Sequence, residues 1–319
     1  MQEQWAEDFA ERARAYWTEE RTAQLIGSRR PAILPGDAPA LLRALGLLHR
    51  DGSMPPDRVR KYRQINHMVA VMQPGLRALR DRFETVRILD AACGRSYLST
   101  LLAWHFKHNW KHPVQILGVD FGAPLIEESR RRTALVGLED VLRFEAAPLQ
   151  GLDLGKVWNS AFGAIPTTDK GPVVHGVVSL HGCNTATDDA IALAVSEQAE
   201  LIAVVPCCQS ELSSKWANLP EETADGPFKP LQTSRHLRRT TAAHITDLFR
   251  LLLIRSAGYE ATAIEFVPSE HTPKNTLLRA LKTNEPNPKA QEQYEALKTL
   301  TGGAGIALET QLQNKTQQR

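Results

Sequence analysis

The sequence predicts an α/β fold in which a mostly parallel sheet follows a helical N-terminal region. From Val86 onward, short apolar segments of strand character alternate with segments of helical periodicity over roughly 200 residues, as in sheets covered by helices on both faces. The first strand runs directly into a turn of small residues and then a helix, and the first two strands both end in an aspartate. Ligands of such sheets bind beyond the carboxyl ends of the strands, so we expect the functional site there.

The helical region is expected to cover residues 1–84. Its predicted helices run over 2–26, from an N-cap at Asp37 to about His49, over 57–73, and from the interruption at Pro74-Gly75 to about Arg82. The third of these carries a buried stripe of apolar side chains, namely Tyr62, Ile65, Val69 and Met72. Because this stripe needs a surface to cover it, we expect the region to pack partly on the sheet domain.

The sheet domain is expected to cover residues 85–283. Strands are predicted over 86–90, 114–120, 141–146, 173–180, 201–205, 259–267 and 276–282, with helices over 96–106, 124–136, 187–199 and 241–256. The connection from Pro268 to Asn275 is too short for a crossover helix, so the last strand is predicted to be antiparallel. The polar, Gln-rich stretch 284–319 predicts a flexible tail with at most one short helix.

Composition excludes several classes of protein. The 319 residues are 42% hydrophobic and 23% charged, which is enough for a core and atypical of a disordered chain. No stretch approaches the roughly 20 apolar residues of a membrane helix. The N-terminus lacks an apolar signal segment, and four cysteines are too few for a disulfide scaffold, so we expect a reduced, cytoplasmic protein. Hydrolase elbow, phosphate-loop and zinc-helix motifs do not occur in the sequence.

The charge is unevenly distributed, although the formal net charge is only +2. Residues 1–20 hold two basic and six acidic residues, whereas residues 21–87 hold thirteen basic and five acidic residues. Further basic clusters occur at 130–132 and 235–239. A positive face of this kind can follow the phosphates of RNA, and the alternative is a set of solvated helix faces.

The turn after the first strand, from Asp90 to Tyr97, resembles two cofactor-binding patterns. The dinucleotide-binding pattern G-x-G-x-x-G fits poorly, because Tyr97 falls at its last position, which needs a small residue for close packing of the helix on the strand. The pattern acid-x-G-x-G-x-G fits better, with Asp90, Ala92, Gly94 and Ser96 at its four positions. A plain tight turn remains the alternative to a cofactor loop.

The second and third strands extend this pattern. Asp120 ends the second strand, where a carboxylate can accept hydrogen bonds from ribose hydroxyls, and a helix cap is the alternative role. Glu145-Ala146 ends the third strand, at a position where these residues could contact an adenine.

At these residues the sequence resembles the class I S-adenosylmethionine-dependent methyltransferases. The stretches Ser179–Asp189 and Val205–Gln209, with a Leu-His-x-Cys motif and a Cys-Cys pair, resemble the methyltransferase-like protein 25 family, a group that includes relatives of transfer-RNA 2′-O-methyltransferases. Residues 61–68 and 271–275 resemble bacterial members. The resemblance covers roughly residues 57–282 and implies a Rossmann-like methyltransferase fold, with Ala92 and Ser96 as departures from the glycines of the pattern.

The resemblance implies three groups of site residues. S-adenosyl-L-methionine is the expected cofactor, bound by Asp90, Ala92, Gly94, Asp120, Phe121, Glu145 and Ala146. The methyl-transfer side is expected at His181, Cys183, Cys207 and Cys208. Substrate contacts are expected from Lys61, Gln64, His67, Lys274 and Asn275.

The cysteines allow two other interpretations. With Cys93 they follow ends of adjacent strands and could be small apolar fillers, or ligands of a metal or iron–sulfur cluster. We expect no metal, because adjacent Cys207-Cys208 is a poor spacing for two ligands of one ion. Thr187, Asp188 and Asp189 read as the cap and first-turn acids of a helix.

The sequence therefore predicts an S-adenosylmethionine-dependent methyltransferase that acts on RNA. The alternatives are a methyltransferase for protein side chains or small molecules, and a non-catalytic scaffold that binds the cofactor. No DNA or membrane partner is expected.

Overall fold

The computed structural model describes residues 2–27, 31–165, 171–183, 185–219, 228–265, 276–283 and 285–317. Before the sheet lie four helices, α1 (Gln2–Tyr16), α2 (Glu19–Ile26), α3 (Pro39–Ala44) and α4 (Pro56–Arg82). The first half of the sheet comprises β1 (Val86–Ala91), α5 (Tyr97–Trp104) with a π-helical extension His105–Trp110, β2 (Val114–Asp120), α6 (Ala123–Leu135), β3 (Leu142–Ala146) and α7 (Leu154–Phe162). The second half comprises β4 (Gly176–Cys183), α8 (Ala186–Ser196), β5 (Leu201–Cys208), α9 (Glu211–Ala217), α10 (Lys229–Thr233), α11 (Arg235–Ser256), β6 (Tyr259–Glu265), β7 (Thr276–Lys282), α12 (Pro288–Leu300) and α13 (Ala307–Gln317).

The seven strands form one sheet in the order β3-β2-β1-β4-β5-β7-β6. Neighbouring strands from β3 to β5 are parallel, and β7 is antiparallel to both β5 and β6. This arrangement confirms the predicted α/β class and the antiparallel last strand. It also brings the carboxyl ends of β2, β1, β4 and β5 side by side at one edge, which we call the carboxyl edge.

Two apolar cores cover the two faces of the sheet. In β1 all six residues are buried, because alternate side chains point to opposite faces and both faces are covered. Ile88 packs with α4 and α5 in one core, and Leu89 packs with α7, α8 and α11 in the other. The helical N-terminal region therefore packs against the same face of the sheet as α5.

The helix α4 is continuous, whereas the sequence predicted an interruption at Pro74-Gly75. Proline removes the backbone donor for the carbonyl of Ala70, and at the next residue Arg279 Nη1 of β7 donates to the carbonyl of Val71 at 2.9 Å, which fixes the helix to the sheet at this point. A Cβ at Gly75 would lie 2.8 Å from a methyl group of Leu201, so the glycine allows the helix to pack closely on the sheet. Tertiary contacts on both sides of Pro74 thus keep the helix unbroken.

The first helices also differ from the prediction. The predicted helix 2–26 is divided at Trp17-Thr18, and the Thr18 hydroxyl caps α2 by accepting from Arg21 N. The helix predicted from Asp37 begins at Pro39 without a side-chain cap and ends at Ala44. Proline is favoured in the first turn, which explains this start.

The C-terminal stretch, which was predicted to be a flexible tail with at most one short helix, forms two helices that pack on the domain. Asn287 Oδ1 accepts from Ala290 N and caps α12, whose Tyr294 is fully buried with its ring centroid 5.0 Å from that of Phe249 on α11. In and before α13, Leu308 and Ile306 are also buried in the second core. These helices contain few apolar residues, but those residues are buried against the rest of the domain. The helices α7, α9 and α10 were likewise missed.

No helix in the described part of the chain is long and apolar enough to span a membrane.

Replacing Tyr294 tests whether the C-terminal helices belong to the folded core. We expect Tyr294→Ala to lower the free energy of unfolding by about 3 kcal/mol, the usual cost of removing a buried aromatic ring. The exposed neighbour Glu292→Ala is the control and should change it by less than about 0.5 kcal/mol. Urea unfolding measures both variants, and equal effects would contradict this packing.

Candidate functional site

A cavity of about 600 Å³ opens at the carboxyl edge of the sheet. The turns after β1, β2 and β3 form one side, and the end of β4 with the start of α8 forms another. The start of α5 and one residue of α4 complete the wall. The lining residues are Lys61, Asp90, Ala92–Arg95, Tyr97, Leu98, Asp120, Phe121, Ala147–Gln150, Leu180, Thr185, Ala186 and Asp189.

The turn between β1 and α5 contains three residues with left-handed backbone conformation. The φ angles of Ala92, Gly94 and Ser96 are 56°, 53° and 55°. This conformation costs roughly 1–2 kcal/mol for a residue other than glycine, so the turn keeps the glycine-like geometry of the pattern at an energetic cost. Apart from Gly94 and its two chain neighbours, no heavy atom of the described residues lies within 4 Å of the point where a Cβ on Gly94 would stand, so a ligand can approach this backbone closely.

Asp120 connects two turns at the cavity. Its Oδ2 accepts from Gly94 N at 2.9 Å, and its Oδ1 accepts from Gly122 N at 2.8 Å. An ionised carboxylate has about four acceptor positions, so these two bonds leave capacity for hydroxyl donors of a ligand. The side chain is buried, yet it borders the cavity.

Asp90 is a buried carboxylate at the base of the same turn. It is 1% exposed, and its Oδ1 has no hydrogen-bond partner among the described residues. Burial raises the pKa of Asp90 to about 7; hydrogen bonds from Ser99 oppose this shift, and the charge of Asp120 adds to it. A buried, partly unsatisfied carboxylate that borders a cavity is suited to pair with an ammonium group.

The third strand contributes differently from the prediction. The cavity is lined by Ala147–Gln150 and not by Glu145 or Ala146. Glu145 Oε2 instead lies 3.9 Å from Arg130 Nη2, and the glutamate side chain is 45% exposed. Phe121 does line the cavity, and its ring is 84% exposed, which is unusual for an aromatic side chain.

The predicted catalytic rim is only partly described. Cys183 and Cys208 are aligned in the register of β4 and β5, but their side chains and that of His181 lie outside the described part of the structure, so their roles stay predictions. Cys207 is half-buried. Cys93 packs against Gly118, and burial, together with Asp90 and Asp120, raises the pKa of its thiol. No group of three potential metal ligands occurs among the described residues.

The predicted substrate residues separate into three cases. Lys61 lines the cavity; its Nζ lies 5.1 Å from the ring centroid of Tyr97 and 3.5 Å from Gln64 Oε1, and burial lowers its pKa. His67 is half-buried on the same helix and does not line the cavity. Lys274 and Asn275 lie outside the described residues.

Sequence reasoning missed several cavity residues, including Arg95, Leu180 and Asp189. Their signal was position, since Arg95 lies in the turn after β1, Leu180 lies near the end of β4, and Asp189 lies in the first turn of the helix that follows β4.

A buried polar network lies behind the end of β5. Asp188 of α8 forms a bidentate ion pair with Arg250 of α11, at 2.8 Å to Nε and 3.1 Å to Nη2. Arg250 also contacts Asp247, which accepts a hydrogen bond from Gln209 just after β5. Burial raises the pKa of Asp247 to about 6. The network connects α8 and the end of β5 to α11. Asp188, which was predicted only as a first-turn acid of a helix, therefore also joins two helices.

Comparison with known proteins identifies the domain. Residues 60–215 match the family model described as a methyltransferase domain. These residues form a methyltransferase domain. S-adenosylmethionine is its cofactor, as predicted from the sequence. No curated protein sequence matches the chain.

Two solved structures of methyltransferases are similar to the chain. One is the SAH-bound methyltransferase PaMTH1 of Podospora anserina, with 10% identity, coverage of 83% of this chain and 97% of that chain, and a TM-score of 0.43. Another is cofactor-bound Rv0187 from MTB, with 15% identity, coverage of 79% and 93%, and a TM-score of 0.40. At these identities the likeness concerns the fold alone.

The raised pKa of Asp90 predicts a pH-dependent difference in stability for Asp90→Asn. Because the folded-state pKa is about 7 and the ordinary value is 3.8, the parent methyltransferase loses stability as pH rises through this window. Asparagine does not ionise. The free energy of unfolding of the variant, minus that of the parent, should therefore increase by about 2–3 kcal/mol between pH 5 and 8. Urea unfolding at several pH values tests this, and a constant difference would contradict the assignment.

Proposed function

We propose that this methyltransferase acts on RNA and belongs to the group that resembles methyltransferase-like protein 25. The main support for RNA is that the first turns of α11, which contain the exposed Arg235 and Arg239, lie at the same edge of the sheet as the cavity. The cytoplasmic location stays a prediction from the sequence.

The described residues fit the cofactor at four points. The open backbone at Gly94 and the unsatisfied Oδ1 of Asp90 suit the amino-acid part, which carries an ammonium group. The remaining acceptor capacity of Asp120 suits the ribose hydroxyls, and the exposed ring of Phe121 suits a face of the adenine. When bound, S-adenosylmethionine supplies a methyl group on a good sulfur leaving group. The residues of the chain then chiefly need to orient the reactants and exclude water.

Replacing Asp120 tests the ribose assignment. We expect Asp120→Ala to weaken S-adenosylhomocysteine binding by more than tenfold, because hydrogen bonds to a charged acceptor contribute about 1.5–3 kcal/mol each. The exposed Glu139→Ala is the control and should bind like the parent. Isothermal titration calorimetry measures both variants. Equal affinity of Asp120→Ala and the parent would show that the ribose role is wrong.

The start of α11 extends beyond the sheet. Asp247 contacts Gln209 next to the carboxyl end of β5, and Arg235 precedes Asp247 by twelve residues, about 18 Å of helix. Because α11 leads back to the beginning of β6, which runs parallel to β5, its first turns lie on the cavity side of the domain. Arg235 and Arg239 are exposed there, and the sequence contains no acidic residue between Arg235 and Asp247.

Other basic clusters are less suited to bind phosphates. On α6, Arg130 pairs with Glu127, and Arg131 and Arg132 both pair with Glu128. In the N-terminal region, Arg63 donates to the carbonyl of Leu25 and so serves the fold. Lys61 and Arg95 line the cavity, and we propose that they and the start of α11 contact the polyanion.

Charge reversal at the start of α11 tests the RNA surface. We expect Arg235→Glu/Arg239→Glu to weaken binding of mixed transfer RNA more than tenfold in 50 mM salt. The slope of log affinity against log salt should become shallower by about 1.4, since each lost phosphate contact accounts for roughly 0.7 on single strands. The matched control is Arg131→Glu/Lys289→Glu, which makes the same charge change on α6 and α12. Fluorescence anisotropy measures binding, and equal losses for the two variants would contradict this surface.

Tritium-labelled S-adenosylmethionine, incubated with total RNA and with protein lysate, tests the methyl acceptor directly. We expect label in the RNA fraction. Label in the protein fraction would show that the acceptor is a protein side chain. Label in neither would favour a small-molecule acceptor or a non-catalytic scaffold, and either result would contradict the RNA proposal.

A further inference from the structure

We propose that Asp189 accepts the proton released during methyl transfer, and that Gln311 on the C-terminal helix α13 positions its carboxylate. This inference rests on methyl transfer as the proposed activity and applies to acceptors that carry a proton, such as a hydroxyl or an amine.

The position of Asp189 separates it from the other acids of the cavity. Among the described residues, three carboxylates line the cavity, namely Asp90, Asp120 and Asp189. Asp90 is buried beneath the first turn, and Asp120 accepts from two backbone N–H groups on the β2 side. Asp189 lies in the first turn of α8, which follows β4 on the other side of β1. If the cofactor occupies the turns after β1 and β2, Asp189 borders the space left for the acceptor.

Asp189 and its neighbour Asp188 face different surroundings. Asp188 is 1% exposed and paired with Arg250, so its carboxylate is occupied by the buried network. Asp189 is half-buried and borders the cavity, where a reactant could reach it. The pair of acids predicted as simple helix-start residues therefore divides into one structural and one cavity-facing carboxylate.

Gln311 holds the carboxylate of Asp189 from a distant part of the chain. Its Nε2 donates to Asp189 Oδ1 at 2.6 Å, which joins residues 122 positions apart. The helix that carries Gln311 is itself anchored, because Glu211 Oε2 accepts from Ala307 N at 3.2 Å and Leu308 is fully buried. A carboxylate oxygen has more than one acceptor position, so this bond orients Asp189 without preventing it from taking a proton.

In the proposed step, a lone pair of the acceptor atom forms the bond to the methyl carbon, and the carbon–sulfur bond breaks with its electron pair going to sulfur, which becomes a neutral thioether. The proton of the acceptor passes to the carboxylate of Asp189, which later releases it to solvent. Proton transfer to a positioned side chain typically accelerates such a step by a factor of 10² to 10⁴.

An inhibitor comparison tests the position of Asp189 without any methyl acceptor. Sinefungin carries an ammonium group where S-adenosylmethionine carries its methyl group, so a carboxylate near the transferred methyl should favour sinefungin over S-adenosylhomocysteine. We expect Asp189→Asn, which keeps an oxygen for Gln311, to lower the ratio of these two affinities at least tenfold while S-adenosylhomocysteine affinity stays within twofold. Gln311→Ala should lower the ratio about threefold, and Gln313→Ala, on an exposed position of α13, should leave it unchanged.

Kinetics of the 319-residue chain complete the test. With the labelled fraction as acceptor, Asp189→Asn should lower kcat about 100-fold with little change in KM for S-adenosylmethionine, and Gln311→Ala should lower kcat less. An unchanged sinefungin ratio in Asp189→Asn, or an equal loss of S-adenosylhomocysteine affinity, would overturn the proposal. Failure to label RNA would contradict the RNA acceptor alone, because the sinefungin comparison decides the role of Asp189 independently.

Discussion

The cofactor side of the cavity depends on the hydrogen bonds that the buried carboxylate of Asp120 accepts from two loops. This carboxylate accepts one hydrogen bond from the turn after β1 and one from the turn after β2, so two separate loops share one anion. The first of these loops is strained, because Ala92 and Ser96 adopt left-handed backbone conformations. Strain of this kind persists only where surrounding contacts fix the backbone. Besides the bond to Asp120, the loop is fixed by Cys93 N, which donates to Val119 O at 3.0 Å. The same carboxylate therefore supports the loop shape and offers acceptors to a ligand.

The opposite side of the cavity depends on contacts between distant parts of the chain. The bidentate pair of Asp188 and Arg250 joins α8 to α11, and the hydrogen bond of Gln311 joins α8 to α13. A buried ion pair of this kind adds little net stability but penalises any arrangement that separates its charges. The C-terminal helices, which lie beyond the region matched by the family model, thus form part of the architecture around the site.

Local patterns in the sequence were enough to predict the sheet and much of the cofactor side of the cavity. The strands β2 and β7 have the predicted bounds, and the turn from Asp90 to Ser96 lies where the pattern of small residues placed it. Strand character, small-residue turns and strand-ending acids are written in neighbouring residues, so they can be recognised without knowledge of the rest of the chain. For this reason the predicted residues Asp90, Gly94, Asp120 and Phe121 do line the cavity. Glu145 does not, because the lining segment after β3 begins two residues later, at Ala147.

Other features depend on contacts between residues far apart in the sequence, and these were seen only in the folded chain. The helix α4 continues through Pro74, where Leu201 of the sheet packs against Gly75 and Arg279 of β7 donates to the carbonyl of Val71. The stretch after residue 284 forms packed helices because Tyr294 and a few other apolar residues meet matching surfaces of the domain. The contact of Gln311 with Asp189 spans 122 positions of sequence. Local periodicity carries no information about such pairs, since the energy that selects them arises only when the chain brings the two segments together.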